Sequence, residues 1–209
     1  MQQETGSITR VGDKTMTVPG FWRQQQQDPR KMMIQGFGEL SQVHYVFPQG
    51  GFRSPRGAFT SIQTLFDSGN LKSRDTIVLG GVLREQAIAP LDVYDVTIVG
   101  AANKPRQATS GGTPTGGGAS WVPPTSPTAL TPLLELRAQG WAISNIEFTP
   151  HTSSAAIRLT RSASVDTIDA GHPIIEDCLF AANGGSGQIG IEDNGGCGFA
   201  SIYNNRFQG

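Results

Sequence analysis

Three stretches of this chain can be laid over one another: Ala142-Ile-Ser-Asn-Ile-Glu-Phe, Ile174-Ile-Glu-Asp-Cys-Leu-Phe and Ser201-Ile-Tyr-Asn-Asn-Arg-Phe. Each has an isoleucine, an Asn or Asp two places on, and a phenylalanine five places on. The terminal phenylalanines Phe148, Phe180 and Phe207 lie 32 and 27 residues apart, intervals that suit a solenoid repeat with loop insertions. One copy cannot bury its inward side chains alone. Stacked copies set Ile on Ile and Phe on Phe, and pair every backbone edge except the two ends. Asn or Asp at a fixed place tolerates the left-handed backbone of a corner and can hydrogen-bond to the next copy. Asp92 to Gly100 reads as a looser fourth copy, with Val93, Asp95 and Ile98 in the three places.

The stretches between the copies look like strands. Leu133-Leu-Glu-Leu-Arg, Ala156-Ile-Arg-Leu and Gln188-Ile-Gly-Ile-Glu alternate apolar and polar residues. Asp75-Thr-Ile-Val-Leu-Gly-Gly-Val-Leu-Arg-Glu predicts a buried strand, a Gly-Gly corner and a second strand, and Val93-Tyr-Asp-Val-Thr-Ile-Val-Gly predicts another. No crossover helix follows any of them. Ahead of them, Phe59, Ile62, Leu65 and Phe66 fall on one face of a short helix, opened by Thr60 or Ser61 and closed near Gly69. Such a helix would cap the stack.

Two regions depart from this pattern. Residues 1–57 are Gln-rich at Gln24 to Gln27 and broken by Pro19, Pro29, Pro48 and Pro55, yet carry Phe21, Trp22, Phe37, Tyr45, Phe47 and Phe52. Too aromatic for a solvated tail and too aperiodic for a core, this irregular segment either docks on other subunits or packs as a cap on its own body. Residues 103–132, with Gly116-Gly-Gly and Trp121-Val-Pro-Pro, read as a long surface insertion, Trp121 marking it for contact. Residues 58–209 otherwise form the repetitive domain.

With 16 basic and 17 acidic residues the chain lacks the basic field that drives nucleic-acid binding. No apolar run approaches the roughly 20 residues of a membrane helix, and the first residues lack the basic and apolar regions of a signal peptide. Neither nucleic-acid partner nor membrane insertion is expected, and synthesis in a cytoplasm is. The abundance of glycine, 27 residues in all, with only 16% charged residues, suits a fold of many tight corners and few surface helices.

The capping-helix segment Phe59-Thr-Ser-Ile-Gln-Thr-Leu-Phe, the first strands after Asp75, Val96-Thr-Ile-Val-Gly and the Ile-x-Asn-x-x-Phe copies together resemble the pectin-lyase-like β-helix superfamily, in particular tailspike and related virion proteins of bacteriophages. The resemblance covers roughly the last 150 residues. It implies an all-β, right-handed parallel β-helix with a short N-terminal capping helix. Phage members of the superfamily are usually homotrimers with an N-terminal particle-binding segment. The resemblance therefore implies a virion structural protein, a tailspike or tail-fibre subunit attached to other tail or head proteins through residues 1–57 and directed toward host surface polysaccharide. One scaffold carries lyases, hydrolases, adhesins and inert proteins, so a polysaccharide-degrading tailspike and a capsid decoration protein or adhesin stay open as alternatives.

Cleavage of a polysaccharide on such a scaffold needs two carboxylates about 5 to 9.5 Å apart, or a base with a stabilising cation or metal. The candidates are Glu147, Glu176, Asp177, Glu192 and Asp193. Glu147 aligns with Leu179 one copy on and alternates with Ile146 and Phe148, so it is expected to face outward. Glu176 precedes the corner Asp177 and aligns with Ser144 and Tyr203. Glu192-Asp193-Asn194-Gly195 is a fragment of a calcium-type loop or an acidic turn, the turn being preferred because hard cations need several oxygen ligands. His44, His151 and His172 have no triad or metal spacing, and Gly116-Gly-Gly and Gly184-Gly lack the Lys-Ser/Thr of a phosphate loop. Cys178 and Cys197 read as small buried thiols. No residue is nominated as catalytic, and no cofactor or metal is implied. The chain is read as non-enzymatic; were it an enzyme, it would be a polysaccharide lyase or glycoside hydrolase.

Overall fold

The computed structural model describes residues 41–48, 55, 57–101, 119–161, 168–182, 184–195 and 197–208. Most of the expected attachment segment, including Gln24 to Gln27, Phe21, Trp22, Phe37 and Phe52, lies outside the described residues, as does the glycine run of the insertion.

The protein is all-β, with every strand among the described residues in a parallel sheet. The strands are β1 (Val43–Val46), β2 (Thr76–Leu79), β3 (Val82–Arg84), β4 (Ala87–Ile88), β5 (Thr97–Gly100), β6 (Ser120–Val122), β7 (Leu134–Leu136), β8 (Ala142–Ser144), β9 (Glu147–Phe148), β10 (Ala155–Thr160), β11 (Ile174–Glu176), β12 (Leu179–Ala181), β13 (Ile189–Asn194), β14 (Ser201–Tyr203) and β15 (Arg206–Gln208). Three sheets are ordered β1-β2-β5-β8-β11-β14, β3-β6-β9-β12-β15 and β4-β7-β10-β13. From β2 onward the chain visits first, second and third sheet in unbroken rotation. Each strand therefore pairs with its counterpart one circuit away.

Register explains the repeat. On the first sheet Ile77, Ile98, Ile143, Ile175 and Ile202 stand opposite one another, and the first four are fully buried. Full burial of each such side chain stabilises by at most about 2–3 kcal/mol. On the second sheet Leu83, Trp121, Phe148, Phe180 and Phe207 align. Parallel strands sit about 4.8 Å apart, so in-register aromatics must stack. The ring centroids are 5.8 Å apart for Trp121 and Phe148, 5.4 Å for Phe148 and Phe180, and 4.8 Å for Phe180 and Phe207.

The corner between the first and second sheets is made as the spacing predicts. Asn145, Asp177 and Asn204 have φ of +58°, +53° and +54°. The Asn145 side-chain amide donates to the Gly100 carbonyl (3.0 Å), and that of Asn204 donates to Asp177. Gly100 is itself indispensable here, because a Cβ on it would lie 1.9 Å from the Asn145 carbonyl oxygen.

The short helix α1 (Ile62–Asp67) also forms where expected, capped by Ser61, with Ile62, Leu65 and Phe66 buried and Gly69 at φ +69° beyond its end. Glu85, just after β3, accepts from Ser61 Oγ (2.7 Å) and from the Ile62 amide (2.7 Å), fixing the helix to the first circuit.

Four expectations are corrected. Residues 1–57 are not irregular throughout: Val43–Val46 forms β1, paired in parallel with β2. The insertion is not surface throughout, for Ala119 to Val122 are buried before the chain returns to the surface over residues 123–131, and Trp121 is a core residue whose indole N–H donates to the Glu85 carbonyl (2.8 Å). A three-residue strand is too short to show alternation among Gly, Pro and Ser. The fourth copy is shifted: Ile98 faces Ile143, so Asp95 sits not at the Asn145 corner but two residues before its strand. There Arg74, Asp95, Gly140, His172 and Phe199 all have positive φ, +72°, +58°, +76°, +55° and +63°. An aspartate suits either corner, which is why the pattern could be mistaken. Finally, Glu147 lies opposite Leu179 as expected but is buried, since neighbours on that face such as Ser120, Leu179 and Ala181 are buried too.

Candidate functional site

The carboxylates singled out in the sequence are dispersed. Glu147 is enclosed on the second sheet. Glu192 pairs with Arg158 at 2.7 Å, in a row with Glu135 across the third sheet. Arg158 also donates to the Leu130 carbonyl (2.8 Å). Asp193 accepts from the Cys197 amide at 2.9 Å, and the expectation of an acidic turn is corrected, since Glu192, Asp193 and Asn194 pair with β10 as the last residues of strand β13. Glu176 accepts from the Tyr203 hydroxyl and Asp177 from Asn204. The hydrogen bond to Glu176, aided by partial burial, pushes the Tyr203 phenol up to about 12, so it stays protonated at neutral pH. Among the described residues no three His, Cys, Asp or Glu side chains converge as metal ligands would.

The thiols are quiet. Burial pushes Cys178 up to about 12 and also raises Cys197, which is half-buried with its sulfur 2.9 Å from the Ala170 carbonyl. A thiol in that range is a poor nucleophile near neutral pH.

What distinguishes the molecule is the finish of its two ends. At the first, Asp75, 1% exposed, accepts from the Gln42 amide (2.7 Å), the Lys72 amide (2.8 Å) and His44 Nε2 (2.9 Å). His44 occupies the place before Ile77 in the isoleucine row, so the apolar ladder ends on a polar pair. Phe59 bridges this edge, accepting from the Phe47 N–H at 2.8 Å and donating its own N–H to the Tyr45 carbonyl at 2.7 Å, and Phe66 meets Trp141 edge-on at 5.8 Å. Neither Asp75 nor Glu85 was singled out in the sequence. Apart from Lys72, their partners lie more than twenty residues away, and only the position of Asp75 at the foot of the first strand hinted at a role.

The other end is apolar and open. Among the described residues no strand lies beyond β13, β14 and β15. Ile202 is 45% exposed and Phe207 60%, although every earlier isoleucine and aromatic of their rows is buried. Phe199, 83% exposed, stacks flat on His172 at 5.2 Å. The third sheet ends differently, with Asp193 in the row of Leu136 and Leu159. Exposed apolar ends of this kind mark interaction surfaces. Among the described residues no helix is long and apolar enough to cross a membrane. No protein-family model, curated protein or solved structure matches this chain, so any statement of its function rests on these residues.

Proposed function

We propose that the protein is a structural component of a bacteriophage virion, a tailspike or tail-fibre subunit built as a right-handed parallel β-helix. The observation that carries this reading is the unbroken rotation of the chain through three parallel sheets with isoleucine and phenylalanine stacked in register. That arrangement suits a stiff rod that holds its two ends apart. The aromatic, Gln-rich N-terminal segment attaches to tail or head proteins, three copies associate, and the body projects toward host surface polysaccharide. The degrading alternative would need two carboxylates facing one groove. Glu192, taken by Arg158, and Asp193, taken by the Cys197 amide, are poor material for it.

Because β1 belongs to the body, the informative truncation removes residues 1–40 and leaves Val43–Val46 in place. Purified full-length and truncated chains are incubated with tail and head particles and imaged by electron microscopy. Attachment of the full chain, lost on truncation while circular dichroism stays β-rich, supports the reading. Failure of the full chain to bind either particle overturns it, and release of unsaturated uronides or reducing sugar from capsular polysaccharide would favour the degrading alternative.

A further inference from the structure

We propose that Leu130, on the turn that carries it, is a knob by which one copy of this chain docks on the uncharged outer side of the first sheet of another copy. Leu130 has φ +61°, a left-handed conformation that glycine or asparagine adopts readily and leucine only under strain. It is the third residue of the turn Thr128–Thr131, closed by the Thr131 amide on the Thr128 carbonyl at 3.3 Å, and a positive φ there ordinarily calls for glycine. The turn is firmly fastened. Gln86 donates to the Thr128 carbonyl (3.0 Å) and the Thr131 carbonyl (2.7 Å) and accepts from the Thr128 amide (2.9 Å), while Arg158 donates to the Leu130 carbonyl (2.8 Å). Yet the leucine side chain is 64% exposed, so the fold draws little packing from it. A strained apolar residue, held in place with its side chain in water, is presented for contact.

The same chain carries a surface for such a knob. On the outer side of the first sheet Thr97, Val99, Ala142, Ser144 and Ile174 alternate with the buried isoleucines, and among the described residues Glu176 is the only charge facing out from that sheet. Ile174 is 38% exposed although β11 is paired on both edges, so its exposure belongs to the side of the sheet and not to an end of the stack. Charge favours another copy as the occupant. Beside the knob Arg158 is balanced by Glu192 at 2.7 Å and Arg137 by Glu135 at 3.5 Å, so burial leaves no charge unpaired, and copies of net charge -1 scarcely repel one another. Knob and face are different surfaces. Their contact is therefore head-to-tail, the kind that closes copies into a ring. It rests on the association of three copies proposed above but not on particle attachment, which can fail without touching it.

The test measures the assembly of the complete chain by analytical ultracentrifugation. The expected species is a trimer. Leu130→Asn, which keeps a residue suited to positive φ, and Ile174→Lys, which charges the uncharged face, should each weaken association at least ~10-fold while circular dichroism is unchanged. Mixed in equal amounts, the two variants should form pairs and nothing larger, because only the knob of one and the face of the other remain intact. A complete chain that is monomeric or dimeric overturns the proposal; loss of particle attachment in Leu130→Asn would then assign the knob to a virion protein. A trimer that both variants leave at full strength overturns it too, as does a mixture that assembles beyond pairs.

Discussion

At one end of the stack a buried carboxylate, a histidine, an edge strand and a capped helix close the ladder; at the other, an isoleucine and a phenylalanine of the same ladder face solvent. The two ends are built from one repeat, so the difference lies in the cover and not in the fold. A closed end needs residues that break the pattern, and His44, Asp75 and Glu85 do so with hydrogen bonds that reach across circuits. An open end simply continues the pattern.

The sharpest way to break that comparison is to truncate one ring in the middle of the aromatic row and one at its open end. Phe148→Ala leaves a cavity between Trp121 and Phe180 and should cost about 3–5 kcal/mol in urea denaturation. Phe207→Ala, at a ring already 60% exposed, should cost less than about 1 kcal/mol. Similar losses at the two positions would mean that Phe207 is covered in solution.

Cys178 probes the same interior by pH. Its folded value is raised above the ordinary thiol range, so the protonated thiol belongs to the native state. The resulting stability is fully present below about pH 9 and is lost as pH rises toward 12, by about 1.4 kcal/mol per unit at most. Chemical denaturation at stepped pH should show this slope, and Cys178→Ala should flatten it. An identical slope in the variant would place the titrating group elsewhere.

A third substitution sharpens the picture of the closed end. Asp75→Asn keeps the shape but removes the charge that three donors share, for a loss of about 2 kcal/mol. Hydrogen exchange should quicken in Val43–Val46 and not in Ser201–Tyr203. Equal quickening at both ends would show that the edge strand is not a local cover.

Much of this fold was legible because its corners and rows demand particular residues. Asn145, Asp177 and Asn204 had to tolerate positive φ, and Phe148, Phe180 and Phe207 had to match across a strand spacing. The short helix was legible from its cap and glycine. What escaped depended on distant partners: the strand at Val43–Val46, the burial of Trp121 and the enclosure of Glu147 are set by neighbours dozens of residues away. The second row of left-handed corners was hidden because Arg74 and Phe199 do not advertise that conformation. Of the candidate site, the alignment of Glu176 with Ser144 and Tyr203 was readable from the repeat alone, whereas the closed end was not.

The uniform parallel pairing also governs how the chain can acquire this shape. Among the described residues no strand meets its partner through a hairpin: Thr76 must wait for Thr97, Thr97 for Ala142, and Ile174 for Ser201. Every pairing thus closes a loop on the order of 20 to 45 residues before any contact compensates the lost chain entropy. Folding of this kind is slow, with few local nuclei. Once two circuits have met, each later one still orders its own residues but does so against an existing template of paired strands. Growth then follows the order of synthesis, starting from the end that is sealed.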